Sequence, residues 1–92
     1  RRVRKYMLCK VLQPQLLDLP VGARFLSAQN QNQALILWFE VDPEAMLVPR
    51  AFQVLWTGSS IVPEGATYLA TVQIELFVWH LYELTPPESD GA

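Results

Sequence analysis

The segment Ala34-Leu-Ile-Leu-Trp-Phe-Glu-Val41 decides the fold class of this 92-residue chain. An apolar run of this length, bounded by a polar turn and by Asp42-Pro43, predicts a β-strand. An antiparallel strand with one wet face should alternate apolar and polar residues. Here apolar residues occupy both faces, with Leu35, Leu37, Phe39 and Val41 on one and Ile36 and Trp38 on the other. Both faces of this strand must therefore pack against other parts of the protein or against a second molecule.

A second strand near the carboxyl end, Phe77–Leu84, has the same property. Phe77, Trp79 and Leu81 share one face, and Val78, His80, Tyr82 and Leu84 share the other. The sequence offers no long helix to supply a second cover. A curled part of the same sheet, another protomer or a different protein could supply it, so we expect self-association or a partner surface.

Glycine and proline divide the remaining sequence into short segments. The other predicted strands are Val3–Leu12, Leu16–Leu19, Arg24–Gln29, Arg50–Thr57 and Tyr68–Gln73. Asp42-Pro43-Glu44 resembles a helix start, but Pro49 leaves room for a turn or at most one short helical turn near residues 43–48. We predict an all-β domain over residues 1–84, a small antiparallel sandwich or partly open barrel of about six to seven strands. Residues 85–92 are polar and proline-rich, which predicts a flexible tail.

Composition limits where the chain can act. No apolar run approaches the ~18 residues of a membrane-spanning helix, so we expect no membrane insertion. Cys9 is the only cysteine, which excludes an internal disulfide and a cysteine-based zinc site. We expect it to be a small buried strand residue in a reducing compartment, and we therefore predict a cytoplasmic location.

The net charge of −2 conceals an asymmetry. Five of the seven basic residues are Arg1, Arg2, Arg4, Lys5 and Lys10. From residue 11 onward, two arginines oppose nine carboxylates, a charge of about −7. A phosphate backbone is repelled by such a body, so nucleic-acid binding is not expected. The basic terminus is either an arm that touches phosphate or a solubilising end beside acidic neighbours in a sheet.

Catalytic and metal-binding constellations are missing from the sequence. His80 would be the base of a serine triad, but its mid-strand position favours a half-buried histidine bonded within the sheet. Glu40, Asp42 and Glu44 are best interpreted as a solvated turn. Thr57-Gly58-Ser59-Ser60 has one glycine and no lysine, which predicts a strand-ending turn or a small anion nest rather than a phosphate loop. We expect no enzyme activity, no metal and no cofactor.

Two features could serve recognition. Residues 29–33 form an amide-rich turn, which is either an ordinary hairpin loop or a hydrogen-bonding surface. The three tryptophans exceed what a small core readily hides, and tryptophan is favoured at interface hot spots, although all three could still be core residues. The candidate interaction surface comprises Gln29, Gln31, Asn32, Trp38, Arg50, Trp56, Thr57, Trp79 and His80.

A series of short motifs spans roughly residues 4–84. It comprises Leu19-Pro20-x-Gly22-Ala23, Leu26-Ser27-x-Gln29, Leu37-Trp38, Val41-Asp42-Pro43, Phe52, Thr57-Gly58, Tyr68-x-x-Thr71-Val72-Gln73 and Phe77–Glu83. In order and spacing the series resembles a family of short phage- and prophage-encoded proteins, a domain of unknown function. The resemblance implies a small phage protein acting in a bacterial host cell, and it supplies no catalytic residues.

Three functions are compatible with these observations. The first is a non-catalytic, oligomeric interaction protein whose acidic body engages a host or phage protein, for instance by blocking a basic groove on a bacterial defence complex. The second is a small-ligand binder that sequesters a nucleotide-like signal between protomers, using a tryptophan, Arg50 and the amides of residues 29–33. The third is an accessory or structural component of the virion.

Overall fold

The computed structural model describes residues 1–58 and 61–84, and these residues form seven strands and no helix. It follows that the described residues contain no helix long and apolar enough to cross a membrane. The strands are β1 (Arg2–Leu8), β2 (Gln15–Pro20), β3 (Arg24–Gln31), β4 (Ala34–Val41), β5 (Leu47–Trp56), β6 (Thr67–Ile74) and β7 (Phe77–Leu84). The tail predicted at residues 85–92 lies outside the described residues.

The strands form two antiparallel sheets packed as a sandwich. The smaller sheet has the order β1-β4-β3, and the larger has the order β2-β5-β7-β6. At one margin β3 and β6 lie against each other, and Asn30 Nδ2 donates to the Gln73 carbonyl at 3.4 Å. Strands β1 and β2 are the other edges of their sheets. The predicted all-β sandwich is confirmed, and the partly open barrel is not formed because the two sheets remain separate.

A turn occupies the position where at most one short helical turn was expected. The Ala45 N–H donates to the Asp42 carbonyl at 3.0 Å, and the Glu44 N–H donates to Asp42 Oδ1 at the same distance. The Asp42 side chain thus stabilises a turn instead of capping a helix. Leu47 then begins β5 directly.

The core lies between the inner faces of the sheets. The alternate residues of β4 that share one face, Leu35, Leu37, Phe39 and Val41, are all fully buried. Phe39 is central, because the rings of Tyr6, Phe25 and Phe52 meet it edge-on with centroids 5.6–5.9 Å away. Edge-to-face contacts of this kind add to the stabilisation that burial provides.

The outer faces hold two further buried apolar residues. Ile36 is 7% exposed and lies between Met7 and Gln29 in the sheet register. Leu55 is 3% exposed and lies opposite His80. Both are therefore sheltered by their own chain, so neither requires a second molecule to cover it.

The first strand ends earlier than the predicted Leu12, because the chain crosses to the other sheet. The Cys9 N–H donates to Gln15 Oε1, and Gln15 Nε2 donates to the Cys9 carbonyl, both at 2.8 Å. The side-chain amide thus pairs with the backbone of Cys9 as a neighbouring strand would. The expectation of a buried strand cysteine is wrong, since Cys9 is exposed in this bend.

Strand β5 begins earlier than predicted and contains Pro49. Pro49 pairs with Asp18 of β2, whereas the pairing of β5 with β7 begins only at Ala51, opposite Leu84. Because β5 has a single neighbour at this point, the missing N–H of proline interrupts no second ladder.

The hairpin between β3 and β4 turns through Asn32 and Gln33, whose φ angles are 54° and 66°. A type I′ turn requires positive φ at both central residues and favours Asn-Gly. We expect Gln33→Gly to raise the free energy of unfolding by about 0.5–1 kcal/mol in urea titrations. The hydrogen bond from Lys10 Nζ to the Gln33 carbonyl is kept in this variant, because its acceptor is a backbone atom. Gln31→Gly, inside β3, is the control and should destabilise the protein.

Candidate interaction surface

The three tryptophans occupy different environments. Trp79 is 5% exposed and belongs to the core, whereas Trp38 is half-buried on the outer face of the three-stranded sheet. Trp56, the last residue of β5, is 37% exposed and pairs across the ladder with Trp79. The core therefore hides one tryptophan and leaves two partly on the surface.

Trp56 belongs to an apolar surface at one end of the four-stranded sheet, which we call the aromatic end patch and define as Trp56, Val62, Leu76 and Phe77. The rings of Trp56 and Phe77 stack at 5.2 Å with 20° between their planes. Phe77 is 49% exposed, Val62 is 44% exposed and Leu76 is 92% exposed. The Trp79 ring lies 5.4 Å from Trp56 and 6.3 Å from Phe77, so it supports both exposed rings.

Two turns create this patch. Ile74 pairs with Phe77, so Glu75 and Leu76 form a two-residue turn, and Glu75 has a φ of 56°. A left-handed conformation costs energy for a residue with a side chain. On the other strand, Gly58 with a φ of 83° redirects the chain after β5, and the Thr57 N–H donates to the Val78 carbonyl at 3.4 Å. The turns thereby hold Leu76 and Trp56 at the same end of the sheet.

A chain of hydroxyl groups surrounds His80 beside the patch. Tyr68 Oη lies 2.6 Å from Thr71 Oγ1, which lies 3.0 Å from His80 Nδ1. His80 Nε2 lies 2.9 Å from Thr57 Oγ1. Both ring nitrogens are thus engaged by threonine hydroxyls, and among the described residues neither ring nitrogen forms an ion pair with a carboxylate. The arrangement is a hydrogen-bonded surface network and lacks the carboxylate of a triad.

A shallow cavity of about 220 Å³ lies over this network and is lined by Leu55, Trp56, Thr57, Gly58, Val62, His80 and Tyr82. A second cavity of about 260 Å³ lies on the other side of Trp56 and includes Leu76 and Phe77. Trp56 and Thr57 line both cavities. The two depressions therefore flank one aromatic ridge.

Arg50 is not part of this surface. Its Nε and Nη2 atoms donate to the two carboxylate oxygens of Glu83 at 2.7 and 2.9 Å, and Nη1 donates to the Ala23 carbonyl at 2.7 Å. The guanidinium also lies over the rings of Phe39 and Phe52. The hydrogen bond with Glu83 raises the pKa of Arg50, and burial opposes that effect. The guanidinium is thus committed to the interior of the sandwich.

The amide-rich turn lies at the same end of the sandwich as the aromatic end patch. Gln29, Gln31 and Asn32 are exposed, and Gln31 Oε1 accepts from Lys5 Nζ at 3.1 Å. The bond from Asn30 to Gln73 places the hairpin beside the carboxyl end of β6. The amides nevertheless belong to the other sheet, alongside Trp38.

The structure thus brings together four of the predicted surface residues, Trp56, Thr57, Trp79 and His80. Sequence reasoning missed Leu76, Phe77 and Val62 as surface residues. An apolar leucine at a two-residue turn was the available signal, since turns normally carry polar residues. Of the three carboxylates predicted to form a solvated turn, Asp42 and Glu44 lie in the turn. Glu40 lies on β4 and forms an ion pair with Arg24 at 3.0 Å. The described residues contain no cluster of histidine, cysteine or carboxylate groups that could hold a metal ion.

A family model for a domain of unknown function, DUF7352, matches residues 1–92. The chain belongs to the DUF7352 family. No curated protein and no solved structure matches it. The expected membership of a family of unknown function is confirmed. DUF7352 carries no assigned activity, so a functional argument has to rest on the surface chemistry described above.

Proposed function

We propose that this DUF7352 protein is a non-catalytic interaction protein that binds a protein partner through the aromatic end patch. The observation that carries the proposal is the joint exposure of Trp56, Leu76 and Phe77 around a single ridge. Isolated exposed apolar residues are common on soluble proteins, whereas contiguous ones mark interaction sites. Tryptophan is also enriched among residues that dominate binding energy.

The rings of the patch are held in place before any partner binds. Trp56 and Phe77 stack on each other and rest against the buried Trp79. Side chains that are already ordered lose little conformational entropy on association, which improves affinity. Thr57 and His80 supply a polar border beside the apolar ridge, as interfaces with an apolar centre and a polar rim require.

The likeness to phage-encoded proteins and the charge asymmetry extend the proposal. The protein is encoded by a phage, acts in the bacterial cytoplasm as an oligomer, and presents an acidic body to a basic surface of its partner. Glu75 lies next to Leu76 in the same turn and is exposed, which favours a partner with a basic rim. Inhibition of a bacterial defence complex is the specific form of this function.

The alternative of sequestering a nucleotide-like signal has less support. Arg50, the cation that such a site would use, is committed to Glu83. The cavity beside His80, about 220 Å³, is smaller than the roughly 300–1,000 Å³ of typical ligand pockets. A role as a virion accessory protein uses the same kind of protein-binding surface and is distinguished by co-purification with particles.

A photo-crosslinking amino acid at position 76 tests the proposal. In bacterial cells that express the protein together with its native host or phage proteins, we expect position 76 to give a discrete crosslinked product. The same group at Leu16, which is 70% exposed on β2, is the control and should give none. Protein without the crosslinking group, expressed in the same cells, should compete for the partner and lower the yield of the product. Leu76→Lys in this competitor should abolish the effect, whereas Leu16→Lys should preserve it.

The mass of the product identifies the occupant. A product that contains a second polypeptide supports the proposed function, and a product of twice the chain mass assigns the patch to self-association instead. Equal labelling from positions 76 and 16, or none from either, contradicts a binding role for the patch.

A further inference from the structure

The two sheets of the sandwich differ by one strand, and the shortfall lies at β1. The smaller sheet has three strands and the larger has four. Because β3 and β6 meet at one margin, the missing position is at the opposite margin, beyond β1. Within the described residues β1 pairs only with β4, so its second edge is unpaired. Such an edge presents backbone donors and acceptors to any extended segment.

Unneutralised cations surround this edge. Five basic residues belong to β1 or adjoin it, and all are exposed: Arg1, Arg2, Arg4, Lys5 and Lys10. The two ion pairs of the described residues use Arg24 and Arg50 instead. Lys5 and Lys10 donate to an amide oxygen and a carbonyl oxygen, respectively. Glu40 of β4 lies opposite Val3 in the register, but its ion pair is with Arg24. None of the five cations is therefore neutralised by an ion pair within the described residues.

From these two observations we propose that β1 accepts an extended, acidic segment of a partner protein as a fourth strand of the smaller sheet. Strand addition at an exposed edge is a common mode of peptide recognition. Main-chain hydrogen bonds would supply affinity, and carboxylates opposite the basic side chains would supply selectivity. The proposal does not depend on the aromatic end patch, which lies on the other sheet.

The alternation of charges along β1 favours a strand over a nucleic acid. Arg2 and Arg4 are in register with Val41 and Phe39 and lie on one face, whereas Lys5 is in register with Trp38 and lies on the other. Side chains of an added strand also alternate, so carboxylates can meet cations on both faces. A phosphate backbone is instead usually met by a basic patch or stripe on one face, and the acidic body repels it.

A second copy of the chain is a poor occupant of this edge. Two antiparallel β1 strands centred on each other would bring their arginines and lysines together. Like charges across a ladder destabilise the pairing. Charged residues on edge strands oppose self-association for this reason. An acidic strand removes that repulsion.

Binding of synthetic peptides to the full chain tests the proposal. The probe is an extended peptide that repeats Glu-Glu-Val, which places glutamates on both faces of the strand. It carries a fluorescent label whose anisotropy reports the affinity. Two further peptides carry backbone N-methyl groups on alternate residues, one on the odd set and one on the even set. An added strand directs only alternate N–H groups at its neighbour. We expect one N-methylated peptide to lose binding and the other to retain it.

A charge reversal in β1 provides the second arm. We expect Arg4→Glu to weaken peptide binding about tenfold, because an attractive cross-strand pair becomes repulsive. The control variant, Met46→Glu with Ile61→Glu, makes the same change in net charge at exposed positions outside β1. It should bind within about twofold of the unmodified chain, since neither position belongs to the strand that would pair with the peptide. Leu76→Lys should also leave peptide binding unchanged, which separates this proposal from the function of the patch.

Several results would overturn the proposal. Equal binding of both N-methylated peptides would mean that the backbone of the peptide does not pair with β1. An equal loss in Arg4→Glu and in the control variant would indicate a nonspecific charge effect. Tighter binding of labelled single-stranded DNA than of the peptide would assign the basic strand to nucleic acid.

Discussion

Replacing Phe39 with alanine is expected to lower the free energy of unfolding by about 3–5 kcal/mol. Phe39 is fully buried, and three aromatic rings contact it edge-on. These rings come from β1, β3 and β5, so the phenyl group joins both sheets. Its removal leaves a cavity that rigid ladders on either side cannot close, and the guanidinium of Arg50 loses the ring beneath it.

The expected loss is a large fraction of the roughly 5–15 kcal/mol that stabilises a typical domain. Urea unfolding followed by tryptophan fluorescence measures it, and Phe39→Leu provides a graded comparison with a smaller cavity. Leu16→Ala is the matched control, because Leu16 is 70% exposed and should lose less than about 0.5 kcal/mol. A loss below about 1.5 kcal/mol in Phe39→Ala would contradict the central position assigned to this ring.

Replacing Glu83 with glutamine should lower the free energy of unfolding by about 2 kcal/mol. Removing one member of a buried ion pair typically costs about 3–5 kcal/mol, because a charge remains without its partner. The side chains of Arg50 and Glu83 are 23% and 24% exposed, so solvent reduces the effect. Glutamine retains the shape and one acceptor oxygen but removes the charge that Arg50 faces on two of its nitrogens.

A double-mutant cycle measures the coupling. Arg50→Met keeps an unbranched apolar side chain against Phe39 and Phe52, and Arg50→Met with Glu83→Gln removes both charges. We expect the double variant to be more stable than the sum of the single losses implies. Strictly additive losses would show that the two side chains are not coupled.

The pH dependence of the Glu83→Gln loss follows from the pKa of Arg50, which is raised by Glu83. A basic group whose pKa is raised on folding contributes stability that is fully present below its unfolded pKa and is lost only above that value. Arginine titrates far above neutrality. The loss should therefore be the same from about pH 6 to pH 9.

Local sequence patterns correctly predicted the bounds of those strands whose ends do not depend on contacts with distant parts of the chain. The predicted bounds of Ala34–Val41 and Phe77–Leu84 agree with β4 and β7, because both strands are central in their sheets and strongly apolar. The end of β1 depends on an amide from Gln15, and the start of β5 depends on which neighbours flank Pro49. Those are tertiary relations, which a single-segment pattern does not contain.

The candidate surface was only partly predictable for a related reason. The sequence predicted Trp56, Thr57 and His80 as surface residues, but their assembly beside Phe77 depends on the register of β5 with β7. The same register turns Arg50 inward toward Glu83, whereas the ligand-binding hypothesis requires Arg50 to line a pocket. Shifting the register by one residue would reverse both outcomes, since it exchanges the faces of a strand.

The two hydrogen bonds between the Gln15 side chain and the Cys9 backbone constrain the length of the segment that crosses between the sheets. The side chain of Gln15 meets the N–H and the carbonyl of one and the same residue, whose thiol takes no part. Substitution at position 9 is consequently inexpensive, while adding or deleting a residue between positions 9 and 15 separates the amide from its partners. Glutamate at position 15 keeps the acceptor but sets a negative oxygen against a carbonyl. Natural variation at this corner should accordingly change identities and preserve spacing.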